Sequence, residues 1–398
     1  MSTDVQPGSR TAPLSEALEA AVATVRRNTE PFARWYPDDC TTDGTYRPRT
    51  PRDGQPQEGA NTGWTTSFWP GMLWLAHGVT GDDVFARAGR EQVLSFARRV
   101  EDGVGLDTHD LGFLYTLSCV APWRLTGDET ARRAALLAAD HLMARFLEPA
   151  GIIQAWGDLA DPAQRGRTII DSLMNMPLLH WASEQTGDAR YADAARRHTA
   201  QLREHIVRAD DSTFHTFWWD PTTGEPLRGT TQQGFSDSSC WARGQAWGIY
   251  GFAMAHRYGG PAEDLATAQR CADRFLLDLP DDLVAHWDLV FGDDSGQPRD
   301  SSAAAIAVCG LLELAGELTR AGGADEDAER YTRTAEAVLH SLAERYVPPP
   351  GSTSNALLLH AVYDMKTDAG VDEGCLWGDY FYLEALVRTL DPQWRSPW

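Results

Sequence analysis

Three tripeptides of one composition recur along this chain: Thr80-Gly81-Asp82, Thr126-Gly127-Asp128 and Thr186-Gly187-Asp188. Each follows an apolar run and precedes one rich in Ala, Arg and Glu. Glycine ends a helix by entering the left-handed region without a Cβ clash, and aspartate caps the helix that follows. Gly259-Gly260-Pro261 and Gly322-Gly323 punctuate the later sequence in the same way. Each turn therefore joins two helices, one small and aromatic, the other amphipathic.

On this rhythm, amphipathic helices are predicted over 13–29, 82–100, 128–147, 188–208, 261–278 and 325–346. Apolar helices are predicted over 66–80, 109–126, 170–186, 239–258, 300–320 and 376–390. Six alternating hairpins either stack into an open solenoid or close on themselves. The apolar helices have almost no face to give to solvent, which favours closure. The expected fold is all-α: an (α/α)6 barrel of six helical hairpins, inner helices ringed by outer ones. Residues 1–398 are read as a single domain, with 1–12 flexible. Three connections break the rhythm, at 31–65, 209–238 and 347–375. In the second, Thr213 to Trp219 alternates before Asp220-Pro221 and Gly224, so a small β-hairpin is predicted near 213–230.

Against 57 Asp and Glu the chain has 35 Lys and Arg, a net charge of −22. That balance argues against nucleic acid and against an anionic membrane, both of which need a basic patch. A small anionic substrate remains compatible, because a local cluster can reverse the sign at a pocket. The six cysteines are far apart and form no C-x-x-C, so neither a zinc site nor a disulfide framework is expected. No His/Asp/Glu cluster has metal-ligand spacing, and there is no phosphate-cradling glycine loop and no G-x-S-x-G. No metal and no cofactor are expected. The first residues, MSTDVQPGSRTAPL, do not read as a signal peptide, and a cytoplasmic monomer or homodimer is expected.

Chemistry concentrates where apolar helices begin. His109-Asp110-Leu111-Gly112-Phe113 opens the second and Ile170-Asp171-Ser172 the third. If the inner helices run parallel, Asp110 and Asp171 share one rim. Each could equally be a helix cap. Gln232 to Phe252 runs from a polar loop, whose Ser and Asp side chains could cap a helix, into a helix carrying Arg243, Gln245 and Trp247. Arg243 there either meets an anionic ligand or pairs with a nearby carboxylate. Trp64, Trp156 and Trp247 lie beside loops or helix starts, where indoles either stack on sugar rings or join the core. His215 on its own reads as a surface residue of the hairpin, and His109 as a pocket residue. Two carboxylates beside aromatic walls suit acid–base chemistry on a sugar.

Taken together, H-D-L-G-F at 109–113, I-I-Q-A-W at 152–156, R-T-I-I-D-S-L-M-N at 167–175, Q-Q-G-F-S-D-S-S-C-W-A-R-G-Q-A-W-G-I-Y-G at 232–251 and G-D-Y-F-Y-L-E-A-L at 378–386 resemble the unsaturated glucuronyl hydrolases, glycoside hydrolase family 88. The resemblance runs in order from Trp64 to the last residues. It implies an (α/α)6 barrel that acts on oligosaccharides left by polysaccharide lyases, whose non-reducing end carries a 4,5-unsaturated uronate. Asp171 would be the general acid/base and Asp110 its partner carboxylate. His109, His215, Gln233 and Arg243 would bind the sugar's polar groups, and Trp64, Trp156 and Trp247 would line the ring site. Ser172 stands where Asn is expected in many relatives.

The reaction so implied hydrates an enol ether, with a proton delivered to carbon 4 and water added at carbon 5. One carboxyl can do both if its pKa is raised, which crowding against Asp110 and burial would achieve for Asp171. Arg243 would oppose that shift at close range, so it is expected further away, facing substrate oxygens. The expected partner is a small anionic oligosaccharide of chondroitin, hyaluronan or heparin type. Alternatives are an unsaturated rhamnogalacturonyl hydrolase, a non-catalytic carbohydrate-binding barrel, and a sugar epimerase on the same scaffold. An epimerase would be expected to offer histidines where these helix starts offer carboxylates.

Overall fold

In the computed structural model, which describes residues 11–51, 59–322 and 325–398, the outer helices are α1 (Thr11–Asn28), α3 (Asp83–Glu101), α6 (Glu129–Met143), α8 (Ala189–His205), α10 (Ala262–Leu277) and α12 (Asp325–Arg345). The inner ones are α2 (Phe68–Thr80), the rod of α4 (Leu111–Tyr115) and α5 (Ala121–Thr126), α7 (Met176–Thr186), α9 (Ala242–Arg257), α11 (Ser301–Arg320) and α13 (Leu376–Leu390). Of the stretch expected to be flexible, residues 1–10 lie outside the described residues, and Thr11 already begins α1.

The Thr-Gly-Asp turns set this pattern. Gly81, Gly127 and Gly187 adopt φ of 68°, 73° and 73° and close α2, α5 and α7. Asp82, Asp128 and Asp188 then accept hydrogen bonds from the N–H groups of Val84, of Thr130 and Ala131, and of Arg190, which starts α3, α6 and α8. Each inner helix touches the next, and α13 packs on α2 as well as α11, so the ring is closed. Phe68, Phe113, Trp247, Tyr380, Phe381 and Trp398 fill its interior, with Phe381 and Trp398 stacked at 5.9 Å. Among the described residues α11 is the one helix long and apolar enough to cross a membrane, but 83% of its apolar window is buried within the fold.

Two inner helices start less regularly than predicted, and proline is the cause in both. Residues 116–120 form a π turn in which Ala121 N–H reaches the Thr116 carbonyl, just before Pro122, which has no N–H to continue the ladder. Ile170–Asn175 is a 3-10 turn. Pro177 cannot donate to the Leu173 carbonyl, which accepts from Met176 instead. The Ser and Asp residues before α9 do not cap it. The cap position is Trp241, while Ser239 turns back on Ser236 and donates to Asp288 at 2.6 Å.

The hairpin predicted near 213–230 is present as β4 (Thr216–Trp219) and β5 (Pro226–Thr230), and β3 (Arg167–Ile169) joins as a third antiparallel strand. A two-residue pair, β1 (Phe146–Leu147) and β2 (Ile152–Ile153), precedes it. The 347–375 connection holds a further hairpin, β6 (Ala361–Asp364) with β7 (Ala369–Glu373). Its strand β7 ties to the first connection, where Thr41 and the N–H groups of Asp43 and Gly44 bond to Glu373. The two connections that the sequence left without a role thus seal the ring where its ends meet.

Candidate active site

All six inner helices point the same way. At their starts Trp64 meets both Phe113 and Trp377, Phe113 N–H donates to Asn175 Oδ1 at 2.8 Å, and Arg243 pairs with Asp300. Gly112 lets α4 approach the Ile170–Asn175 turn, because any Cβ there would stand 2.2 Å from Asn175 Cα. This contact brings Asp110 and Asp171 to one place. Neither caps its helix. Asp110 Oδ2 instead accepts from Thr108 Oγ1 at 2.6 Å. His109 Nε2 stands between the two carboxylates, 3.4 Å from Asp110 Oδ1 and 3.6 Å from Asp171 Oδ1. Both distances are long for hydrogen bonds, and Asp171 Oδ1, though buried, has no partner. The side chains keep 16% and 12% exposure, enough to be reached from the rim.

A buried carboxyl without donors resists ionisation. Burial first, and then the Asp110 charge, push Asp171 well above the usual carboxylate range, with Arg243 opposing weakly. Asp110 is raised to about 6 by burial, moderated by the Thr108 hydroxyl and by Arg145 and Arg99. Burial and the Arg145 charge lower His109 to about 3, so its imidazole is neutral between the acids. Both carboxyls are thus raised, Asp171 by its neighbour's charge as well as by burial, the kind of tuning that acid–base catalysis uses.

The register of β3 on β4 pairs Ile169 with Thr216, and Ile170 N–H donates to the His215 carbonyl, so His215 flanks the Asp171 turn. It is buried, not at the surface. Its Nε2 lies 3.4 Å from Gln233 Oε1 and its Nδ1 2.7 Å from the Thr216 hydroxyl. Gln233 Nε2 in turn donates to the Tyr363 carbonyl. Trp156 is half-buried, bridged to Thr108 beside His109, with the Arg167 guanidinium 4.3 Å from its ring centre. Trp64 is half-buried and donates to the Tyr363 hydroxyl at 3.1 Å. Ser172, the departure from the expected Asn, donates to the Ile169 carbonyl. It also meets His198 Nε2 at 2.7 Å, anchoring the Asp171 turn to α8.

Arg243 and Trp247 are more deeply set than expected. Arg243 is 1% exposed and donates to Asp300 Oδ2 at 3.0 Å and to the carbonyls of Val362 and Tyr363. Trp247, also 1% exposed, packs between Phe113 and Phe381 in the core. Both support the site from behind, because α9 is buried on every side. Tyr363, Thr108, Asn175 and Arg167 are the site residues that sequence reasoning missed. The first sits in a connection with no readable pattern. The Arg167-Thr168-Ile169 alternation beside the Asp171 motif was the available signal for β3.

A cavity of about 920 Å³ opens at the other end of the barrel, among the last turns of the inner helices. It contains none of the predicted residues. Its buried charges are already paired, Arg257 and Arg388 with Glu313 at 3.0 and 2.9 Å, and Arg388 with Glu384 at 2.8 Å. Arginines at helix C-termini also offset the helix dipoles, which accounts for their presence there. Asp110 and Asp171, which have no arginine partner of this kind, are at the opposite rim. Among the described residues no three His, Cys, Asp or Glu side chains converge as a metal cage.

Comparison with known proteins agrees with this geometry. The family model described as Glycosyl Hydrolase Family 88 matches residues 42–352. The unsaturated chondroitin disaccharide hydrolase of Streptococcus agalactiae is 44% identical over 385 residues, 97% of this chain and 93% of that protein. The crystal structure of unsaturated glucuronyl hydrolase from Streptococcus agalactiae superposes with a TM-score of 0.91 at 43% identity, covering 98% of this chain and 94% of the other. A variant of that streptococcal enzyme, solved in complex with dGlcA-GalNAc6S, gives 0.84 at 39% identity, covering 99% and 98%. With two buried carboxyls side by side at one rim of a closed helical ring, and with matches that span almost its whole length, this chain belongs to glycosyl hydrolase family 88.

Proposed function

We propose that the chain releases the 4,5-unsaturated uronate from the non-reducing end of glycosaminoglycan fragments left by lyases, with unsaturated chondroitin disaccharides as the preferred class. The streptococcal relatives' names and the dGlcA-GalNAc6S complex support the substrate class. The observation that carries the chemistry is the contact of His109 with both Asp110 and Asp171, with Asp171 Oδ1 buried and unpaired.

In this reading Asp171 enters the cycle protonated and delivers that proton to carbon 4 of the enol ether. Positive charge develops at carbon 5 and the ring oxygen, and Asp110, ionised, stabilises it. Asp171, now a carboxylate, takes a proton from water as the water oxygen bonds to carbon 5, which restores the starting acid. The product is a hemiketal. It opens, and the bond to the next sugar is lost as that sugar leaves with its oxygen and a proton. Trp156 and Trp64 bound the ring, His215 and Gln233 meet its polar groups, and Arg243 holds β6 against α9. The described cysteines are free and mostly buried, in keeping with the reducing cytoplasm as the place of action.

The test is a panel of lyase-generated unsaturated disaccharides, followed by loss of the enol ultraviolet absorbance. Fastest turnover of chondroitin-type disaccharides is expected. Faster turnover of the rhamnogalacturonan disaccharide would move the chain to that substrate, and binding without turnover would make it a carbohydrate-binding barrel.

A further inference from the structure

Phe235 is 56% exposed and Val290 58% exposed, yet neither sits on a loose loop. Both are pinned by Asp288, a fully buried carboxylate. Its Oδ2 accepts from Phe235 N–H at 2.9 Å and from the Ser239 hydroxyl at 2.6 Å, and its Oδ1 from Val290 N–H at 3.2 Å. Phe235 is set edge-on against Phe291 at 5.1 Å and Trp287 at 6.3 Å, and these two rings lie 5.4 Å apart. Burying a carboxylate costs free energy unless it is well paired, and here its donors fix an apolar surface in water. Trp287 is buried and Phe291 half-buried, so Phe235 is the exposed ring, held rigid from behind, and a rigid exposed ring costs little ordering entropy when a flat ligand covers it.

Its position indicates the ligand. Phe235 is two residues from Gln233, so their Cα atoms are less than about 8 Å apart. Gln233 meets His215 and bonds to the Tyr363 carbonyl at the mouth of the candidate site. One turn therefore carries both a pocket group and the exposed ring, and Trp241, 4.9 Å from His215, backs it. We propose that the exposed Phe235 ring, backed by the half-buried Phe291 and the buried Trp287, is a distal sugar subsite. It stacks on a pyranose ring beyond the disaccharide unit, so that fragments longer than two sugars are held at the rim while the terminal uronate sits between Asp110 and Asp171. This rests on the function proposed above and adds chain-length selectivity to it.

The experiment compares an unsaturated disaccharide with the unsaturated tetrasaccharide of the same repeat, for the wild-type chain, Phe235→Ala and Phe235→Trp. Phe235→Ala is expected to leave disaccharide kcat/KM unchanged and to lower tetrasaccharide kcat/KM about fivefold through KM, the scale of one aromatic stacking contact. Phe235→Trp is expected to retain the tetrasaccharide rate. Equal effects of Phe235→Ala on both lengths, no effect on the tetrasaccharide, or a wild-type chain that does not turn over the tetrasaccharide would overturn the subsite. So would a sedimentation result in which Phe235→Ala converts a dimer to a monomer, since the surface would then be covered by a second copy. A wild-type chain inert on every unsaturated fragment would instead refute the hydrolase reading itself.

Discussion

Gly112 and Asn175 are in backbone contact. A methyl group at position 112 would meet Asn175 Cα at 2.2 Å and its carbonyl oxygen at 2.4 Å. The next residue's N–H, on Phe113, donates to the Asn175 side chain at 2.8 Å. Two inner helix starts are clasped at that point, with Asp110 on one side of it and Asp171 on the other. The spacing of the two carboxyls depends on an approach that a single hydrogen atom at position 112 permits.

Gly112→Ala should therefore separate the acids without touching either. Overpacking of this kind costs about 1–3 kcal/mol of stability. A displacement of about 1 Å at a reacting centre costs on the order of a hundredfold in rate. Thermal unfolding and steady-state kinetics would check both, and a variant with wild-type kcat would show that the approach is not needed.

The pH profile follows from the two carboxyls. In the proposed cycle Asp110 acts ionised, so the acid limb should fall off below about pH 6. That cycle also starts with Asp171 protonated, so the alkaline limb should fall as pH rises through the elevated Asp171 value. Since the Asp110 charge is the second cause of that elevation, Asp110→Asn should shift the remaining alkaline limb to lower pH as well as slowing turnover. An alkaline limb that stays in place would mean that Asp110 does not act on Asp171.

Stability should respond in the opposite sense to most acidic proteins' ion pairs. Asp110 has a folded pKa above its unfolded value, so the folded state binds the proton more tightly. Stability contributed by the protonated form is complete below pH 3.8 and is lost as pH rises through about 6. Above that, the buried charge costs roughly 3 kcal/mol. Asp110→Asn, which cannot ionise, should raise Tm by roughly 2–4 °C at pH 8 and by much less at pH 4. Calorimetry at the two pH values measures the difference, and an equal change at both would contradict it.

Arg243→Lys keeps the charge and loses the fork that holds Asp300, Val362 and Tyr363 together. Leaving Asp300 imperfectly paired in the core should cost about 3 kcal/mol. β6 carries Tyr363, the partner of Trp64 and Gln233, so KM should rise more than kcat falls. A variant as stable as wild type with only kcat reduced would return Arg243 to direct contact with the reacting sugar.

The barrel was legible because its signals are local. Gly81, Gly127 and Gly187 stop helices, the following aspartates start them, and the inner helices lack a polar face, so every hairpin could be placed from its own residues. The two acids were legible for the same reason, each at the start of an apolar run. The fate of Arg243 was not, since its partner Asp300 is 57 residues away and the carbonyls it also binds lie in a hairpin beyond that. Trp247 could not be told from Trp64 by sequence, because with 15 tryptophans the choice between core and rim is made by packing. Tyr363 was hidden in the 347–375 connection, whose hairpin has a register shift and little alternation.

Asp171→Asn, assayed with an unsaturated chondroitin disaccharide, bears most directly on the proton transfer proposed here. The amide keeps the size and polarity of the carboxyl but has no proton to give to carbon 4. Calorimetry should show the disaccharide still bound, while the enol absorbance declines at least about a thousandfold more slowly than with the wild-type chain. Absorbance lost at the wild-type rate would remove Asp171 from the chemistry.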